Sequence, residues 1–359
     1  MKDTVRSDLD LDLKTELFSK LILILRFHCD ISKVKDMNML LQLLLCLAWS
    51  FEASATSASV VSMTMDQRTV NNRPFIGILT QPTSSKYGDD YILSNYVKYL
   101  ESAGARVVPI RGKERPEYYR YMFKRINGVL FPGGGANTTQ GSYFESGKAM
   151  YELALKANDE GDYFPIWGTC LGLELLTVLT AKKWLLGNTD SENLTLPLTL
   201  AKGYKHSQIF RDMPDNVLNY LSTEPVTQNN HQFSMLVKDF ETTSELNEFY
   251  QILSTNHGRD NLEFVSLMEA YHYPIYASQW HPEKNVFKWS TGRAINHSFH
   301  AIKVTQYMAN FFVSEARKSS HHFDSADQGA REMIENDLRV FVPDHTFSEE
   351  YFFNYTKRE

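Results

Sequence analysis

The chain has 359 residues, of which 43% are hydrophobic and 22% are charged, as in ordinary globular proteins. Its formal net charge is -6 and it has no run rich in lysine and arginine, which argues against a nucleic-acid partner. No stretch of about 18 or more apolar residues occurs beyond the N-terminal region, so we expect no membrane span and no membrane partner.

The N-terminal part of the chain is predicted to precede the folded domain. An apolar run within residues 37–58 follows Lys33 and Lys35 and ends in small residues with an A-x-A pattern, which is typical of a signal peptide. Residues 1–36 then form an extension from an upstream start codon, and residues 59–72 form a linker. A buried N-terminal helix is the alternative.

Sequons and cysteines also favour export. Four N-x-[ST] glycosylation sequons occur, at Asn137, Asn193, Asn296 and Asn354. Of the three cysteines, Cys29 and Cys46 precede the predicted cleavage site, which leaves Cys170 alone in the mature chain. A single thiol is unusual in an exported protein. Cys170 is therefore either an inert buried residue or a nucleophile.

From residue 74 onward, short apolar runs alternate with amphipathic stretches. We predict strands over residues 74–80, 105–110, 128–131, 164–169 and 274–280. We predict helices over residues 91–103, 117–125, 144–158, 171–179 and 300–316. This alternation indicates βαβ units, and hence a parallel sheet with helices on both faces. Residues from about 185 to 270 are less regular and predict an antiparallel or loop-rich insertion, and residues 323–359 form a C-terminal tail of unassigned structure.

The segment GTCLG at residues 168–172 has the pattern G-x-C-x-G between a predicted strand and a predicted helix. This is the nucleophile-elbow pattern with cysteine in place of serine. A helix N-terminus favours a thiolate at Cys170, and the backbone N–H of Leu171 is directed at the oxygen of an attacked carbonyl. A structural cysteine between chance glycines is the alternative.

Two further segments supply the other groups that such a nucleophile needs. Glycines 133–135 follow the third predicted strand and can turn their amides toward an anion, so Gly134 is the predicted second oxyanion donor; a flexible loop is the alternative. His281 ends the last predicted strand and is the predicted base, with Glu283 orienting its imidazole. An unrelated His–Glu pair is the alternative there.

Other polar segments carry less information. His231 lies among polar residues and, on the residues alone, is predicted to be a surface histidine on a loop. No metal-ligand spacing and no nucleotide-binding motif occurs in the sequence, so we expect neither a metal nor a cofactor.

Several motifs together resemble a known family. FPGGG, GTCLGLELL and QWHPEK, in this order and spacing, resemble the class I glutamine amidotransferase superfamily. Within it, PIWGTCLGLELL, NNHQFS, YPIYASQWHPEKN and FFVSEARKSSHHF resemble the γ-glutamyl hydrolase family. The resemblance covers residues 73–322, taken as the catalytic domain. It implies a flavodoxin-like three-layer α/β sandwich with a mostly parallel central sheet.

The resemblance also implies an activity and a setting. It implies a cysteine hydrolase that cleaves γ-glutamyl bonds of folate and antifolate poly-γ-glutamates through a thioester. It further implies a secreted or lysosomal glycoprotein, commonly a homodimer. A glutaminase-type amidotransferase and an inactive binding scaffold are the alternatives.

Matching motif to position carries roles onto individual residues. Cys170 matches the nucleophile, His281 the base, and His231 a second histidine that the family needs for activity. Glu174 stands four residues after the nucleophile, where glutaminases carry glutamine, which argues against free glutamine as the substrate. The residues expected to bind the substrate are Glu174, Gly133, Gly135 and Gln279.

Overall fold

The computed structural model describes residues 70–342 and 348–355. The predicted extension, the predicted signal peptide and most of the predicted linker lie outside these residues. The strands of the described part are β1 (Phe75–Leu79), β2 (Gln81–Pro82), β3 (Asp90–Leu93), β4 (Arg106–Ile110), β5 (Gly128–Phe131), β6 (Ile166–Thr169), β7 (Gly187–Leu196), β8 (Thr199–Leu200), β9 (Thr227–Ser234), β10 (Tyr250–His257), β11 (Glu263–Ala270), β12 (Ile275–Ser278), β13 (Leu338–Val342) and β14 (Ser348–Phe353).

The α-helices lie between these strands for most of the chain. They are α1 (Ser94–Ser102), α2 (Pro116–Phe123), α3 (Ser142–Asp159), α4 (Leu171–Ala181), α5 (Gln208–Arg211), α6 (Asp215–Thr223), α7 (Val237–Glu241), α8 (Ser244–Asn247), α9 (Lys284–Phe287), α10 (Phe299–Ala316) and α11 (Ala326–Glu332). None of the described helices is both long and apolar enough to cross a bilayer.

The largest sheet has eight strands in the order β4-β1-β5-β6-β12-β11-β10-β8. Its first five strands pair in parallel. Its last three join in antiparallel register. The five predicted parallel strands are therefore confirmed. The predicted antiparallel insertion is confirmed as well, because β7 and β9 also pair antiparallel.

Side chains of the parallel strands alternate between two buried cores. Phe75 and Leu79 of β1 belong to the core that helices α2, α3 and α4 cover. Ile76 and Ile78 of the same strand belong to the opposite core, with α1 and α10. This period of two is expected of a strand that is buried on both faces. The domain is thus a three-layer α/β sandwich of the flavodoxin-like type, as predicted.

Two parts of the chain differ from the sequence-based expectation. The helix predicted over residues 91–103 begins only at Ser94, because Asp90–Leu93 form strand β3 with side chains alternately buried and half-buried. Strand β3 lies in a second sheet of order β13-β14-β3-β2 and pairs antiparallel with β14. The segment predicted as a C-terminal tail therefore contributes α11, β13 and β14 to the fold.

Candidate active site

Cys170 lies in a strained turn between β6 and α4. Its φ is 52° and its ψ is -108°, a region that residues other than glycine rarely occupy. A Cβ atom on Gly172 would lie 2.0 Å from the carbonyl oxygen of Phe131, and one on Gly168 would lie 2.8 Å from the backbone of Gly172. The glycines on both sides of Cys170 are therefore required by close backbone packing, as a nucleophile elbow needs.

The predicted nucleophile and the predicted base follow neighbouring parallel strands. Thr169 of β6 is in register with Ser278 of β12, so the chain leaves both strands at the same edge of the sheet. A Cβ atom on Gly133 would lie 3.1 Å from the Cβ of Cys170 and 2.7 Å from the Cε1 of His281. Cys170 and His281 therefore flank the same glycine.

Glu283 holds the imidazole of His281. Their side chains are buried, and Glu283 Oε1 lies 2.9 Å from His281 Nδ1. Asn95 Nδ2 donates to the same carboxylate oxygen at 3.3 Å. Burial raises the pKa of Glu283, but the adjacent imidazole and Lys284 outweigh it, so the net pKa lies below its usual value. With Nδ1 donating to this carboxylate, Nε2 is left to accept a proton.

Burial acts on the Cys170 thiol in the opposite direction to the helix N-terminus. Burial, and then the Glu174 carboxylate, raise the pKa of Cys170 well above its usual value, although Lys284 and the Leu171 N–H oppose this. Burial also lowers the pKa of His281. Both shifts favour a neutral thiol beside a neutral imidazole. Burial thus opposes the favourable dipole of the single helix end, and the thiolate stays a prediction.

Tyr96 joins the glycine run to the imidazole. Its buried hydroxyl accepts a hydrogen bond from the Gly133 N–H at 2.9 Å and lies 3.3 Å from His281 Nδ1. Gln81 Nε2 donates to the Gly133 carbonyl at 2.9 Å. Both polar groups of Gly133 are therefore engaged, whereas Gly134 and Gly135 are exposed.

A pocket of about 480 Å³ opens beside Cys170. Gly134 and Leu171, the two predicted oxyanion donors, both line it, and so does Gly135. Trp184 and Phe233 also line the pocket, with half-exposed rings that meet edge to face at 5.7 Å. Gly133 and Gln279, which were also expected to bind the substrate, are buried behind the pocket wall.

Glu174 and Gln279 form a buried pair at the base of the pocket. Glu174 lines the pocket, and Gln279 Nε2 donates to its Oε1 at 3.1 Å. Burial raises the pKa of Glu174 to about 7, although the Gln279 bond opposes the shift. Gln279 therefore orients the Glu174 carboxyl. Of these two residues, only Glu174 lines the pocket.

His231 is not a surface loop residue, so the prediction from the residues alone is wrong. It lies in β9 and is buried, and its ring packs edge to face against Phe264 of β11 at 5.0 Å. Its Nδ1 bonds to Ser234 Oγ at 2.9 Å and its Nε2 to Asn229 Oδ1 at 3.1 Å. Burial and the nearby His281 lower the pKa of His231 to about 3. A neutral His231 therefore lines the same pocket as Cys170.

Comparison with known proteins agrees with this geometry. The sequence model of the Peptidase C26 family matches residues 74–283. "Gamma-glutamyl hydrolase B" of Dictyostelium discoideum is 44% identical over 287 residues, which are 78% of this chain and 82% of that protein. "Gamma-glutamyl hydrolase" of Homo sapiens is 42% identical over 298 residues, which are 82% of this chain and 90% of that protein. The chain belongs to the γ-glutamyl hydrolase family.

Solved structures similar to this γ-glutamyl hydrolase family member are more distant. The glutaminase domain of Trypanosoma brucei CTPS with bound acivicin matches with a TM-score of 0.47 and 15% identity, over 68% of this chain and 95% of that chain.

The four sequons of this γ-glutamyl hydrolase family member differ in how far their side chains are engaged. Asn137 is exposed at the edge of the pocket, and its Oδ1 accepts hydrogen bonds from Thr139 and Gln140.

The other three sequons are less exposed. Asn193 has a φ of 52°, and its Oδ1 accepts a hydrogen bond from the Ala294 N–H at 2.6 Å. Asn296 Nδ2 donates to the Pro225 carbonyl at 2.8 Å, and Asn354 is half-buried. Glycosylation at each of them stays a prediction.

Proposed function

We propose that this protein hydrolyses the γ-glutamyl amide bonds of folate and antifolate poly-γ-glutamates through a thioester on Cys170. One observation supports this proposal most directly. Cys170 lines a pocket and lies close to the buried His281–Glu283 pair, in a chain of the γ-glutamyl hydrolase family.

The reaction begins with proton transfer from the neutral thiol to His281. As Nε2 takes the proton, Cys170 Sγ attacks the γ-carbonyl carbon and the carbonyl oxygen becomes an oxyanion. The N–H groups of Leu171 and Gly134 stabilise this oxyanion by about 3 kcal/mol each in the transition state. The C–N bond then breaks, His281 gives the proton to the departing amine, and a γ-glutamyl thioester is left. Water, deprotonated by His281, hydrolyses the thioester and restores the thiol.

Glu174 and His231 are the proposed contacts for the γ-glutamyl group. With a pKa of about 7, Glu174 is protonated at acidic pH and donates a hydrogen bond to a substrate carboxylate instead of repelling it. His231 stays neutral down to a pKa of about 3. Both side chains therefore present uncharged groups to an anionic substrate under acidic conditions.

Substitution of the nucleophile tests the proposal. Cys170→Ala is expected to abolish hydrolysis of pteroyl-γ-pentaglutamate while the circular dichroism spectrum stays unchanged. Residual turnover above about 1% of the parent would contradict the role of Cys170. Hydrolysis of free glutamine by the parent protein would favour the glutaminase alternative. Failure of a thiol-reactive probe to label Cys170 would favour the inactive scaffold.

We also propose that the protein is secreted or lysosomal, glycosylated and homodimeric. The signal-peptide pattern of residues 37–58 and the four sequons support export, and the exposed Asn137 is the sequon most accessible to modification. The homodimer is expected from the family resemblance. Peptide-N-glycosidase treatment of the exported protein and analytical ultracentrifugation test these points.

A further inference from the structure

Three cationic side chains follow His281 along the chain. Lys284 begins helix α9, Lys288 follows the end of this helix, and Arg293 lies in the segment that leads to α10. The charge of Lys284 acts on the ionisation of both Cys170 and His281. Lys284 is thus the member of the cationic cluster (Lys284, Lys288 and Arg293) that lies beside the reacting groups.

Two contacts connect this cationic cluster to the space where a substrate would lie. Arg293 Nη1 donates to Asn230 Oδ1 at 3.2 Å, and Asn230 lines the Cys170 pocket. Lys288 lines a neighbouring cavity of about 510 Å³. The cavity shares Gly135 and Ala136 with the Cys170 pocket. An extended ligand can therefore run from one cavity into the other past these two residues.

Lys288 is the lysine of the cluster that a ligand can reach, because Lys284 lines neither cavity and burial lowers its pKa. Neither the Lys284 nor the Lys288 ammonium forms an ion pair or a hydrogen bond with another residue of the described part of the chain. Two carboxylates act on the charge of Lys288, those of Glu283, which bonds to His281, and Glu350, which lines the cavity of Lys288. Burial, and then the charge of Lys284, lower the pKa of Lys288 to about 8, so Lys288 stays protonated at acidic and neutral pH.

The position of the cluster relative to the base indicates which half of the substrate it meets. In the proposed reaction, His281 gives its proton to the departing amine, so the leaving group lies on the side of His281. The leaving group of a poly-γ-glutamate is a glutamate or a γ-linked chain, with an α-carboxylate on every residue and a further carboxylate at its end. Lysine and arginine are the side chains that bind such carboxylates.

We propose that Lys288 and Arg293, with the charge of Lys284 behind them, form the subsite that binds the carboxylates of the leaving γ-glutamate chain. This inference rests on the proposed function. It makes the site selective for leaving groups that carry negative charge, and it assigns the second cavity to the departing half of the substrate.

The test compares two substrates with the same acyl half. One is pteroyl-γ-diglutamate, and the other is its analogue in which both carboxylates of the leaving glutamate are carboxamides. Lys288→Met and Arg293→Met are each expected to lower kcat/KM for the diglutamate about fivefold or more, with no change for the diamide. Lys288→Arg should retain the parent preference. The matched control is Lys124→Met, because Lys124 is exposed, has no ion pair with another described residue and lines neither cavity.

The outcomes separate this inference from the proposed function. A parent protein that hydrolyses neither substrate contradicts the proposed function itself. A parent protein that hydrolyses both equally well, or variants that lose the same factor on both, overturn the subsite while leaving the hydrolase intact. A preference for the diglutamate that weakens with added salt in the parent, and disappears in Lys288→Met, supports the subsite.

Discussion

The backbone N–H of Cys170 donates a hydrogen bond to the carbonyl oxygen of Ser278 at 2.7 Å. This bond extends the parallel pairing of β6 and β12 by one residue beyond the strand ends. Since His281 follows Ser278 by three positions, the bond fixes Cys170 relative to His281 through the backbone. The candidate site is therefore supported by two central strands, which hold catalytic groups more accurately than loops do.

The elbow predicts a large stability difference between two glycine substitutions. Gly172→Ala would place a Cβ atom 2.0 Å from the Phe131 carbonyl oxygen, and we expect a loss of about 3 kcal/mol or more in the free energy of unfolding. Gly135→Ala is the matched control, because no atom lies within 4 Å of its added Cβ, and it should change this free energy by less than about 0.5 kcal/mol. Urea denaturation measures both; equal losses would show that the close approach at Gly172 is not required.

Tyr96 is predicted to position the site through its hydroxyl. Tyr96→Phe leaves the buried Gly133 N–H without its acceptor, so we expect kcat to fall about tenfold. Tyr99→Phe is the control on the same helix, because the buried Tyr99 hydroxyl has no hydrogen-bond partner among the described residues. Steady-state kinetics of the two variants on one poly-γ-glutamate provides the comparison. A Tyr96→Phe enzyme as active as Tyr99→Phe would exclude the positioning role.

Glu283 is predicted to set both the orientation and the basicity of His281. Glu283→Gln is expected to lower kcat by about 100-fold or more, since a neutral amide no longer favours the required tautomer. The Glu283 carboxylate raises the pKa of His281 against burial, so its loss should move the acidic limb of the kcat/KM profile to lower pH. Glu224→Gln is the control, because it alters the half-exposed pair between Glu224 and His300. An unchanged limb in Glu283→Gln would contradict the assignment.

Glu174 is predicted to make the fold more stable in acid than at neutral pH. Its carboxyl titrates near 4.5 when unfolded and near 7 when folded. Between these values only the folded state binds the proton, so the free energy of unfolding falls as pH rises, by up to about 3 kcal/mol.

Glu174→Gln should remove this part of the pH dependence. Urea denaturation at several values between pH 4.5 and 7 measures it as the difference between the parent and the variant. His231 has a lowered pKa of about 3, so its contribution has the opposite sign. It lowers the free energy of unfolding as pH falls below the pKa of the unfolded histidine. Because His231 is present in both proteins, its contribution cancels. Parallel pH profiles for the two proteins would contradict the raised pKa of Glu174.

The last strand is predicted to contribute to stability. Phe352 of β14 is 2% exposed, and Phe352→Ala should lower the free energy of unfolding by about 3–5 kcal/mol. Leu338 of β13 is 51% exposed, so Leu338→Ala is the control, with an expected change below about 0.5 kcal/mol. Similar melting temperatures for the two variants would show that β14 does not pack as described.

Local patterns explain why much of this could be predicted from the sequence. Each parallel strand is a short apolar run bounded by turn residues, and the elbow and its glycines lie within five consecutive positions. His281 could be placed near Cys170 because carboxyl ends of parallel strands meet at one edge of a sheet. These predictions depended on residues that are close in the chain or on one rule of sheet topology.

The rest depends on contacts between distant segments. Nothing in the helical sequence of α1 indicates that the Tyr96 hydroxyl meets Gly133 and His281. His231 has polar neighbours in the sequence, and its ring is buried against Phe264 of the distant strand β11. The charge of the Cys170 thiol depends on how completely the surrounding chain excludes water, which no local motif encodes.

The pairing of β14 with β3 has a consequence for the order of events during synthesis. Strand β3 runs directly into α1, whose Asn95 and Tyr96 contact Glu283 and His281. Every residue of the candidate site leaves the ribosome before β14 does. A nascent chain therefore exposes its thiol and imidazole while the second sheet is still incomplete. We therefore expect the nascent polypeptide to gain hydrolase activity only after the ribosome has translated β14.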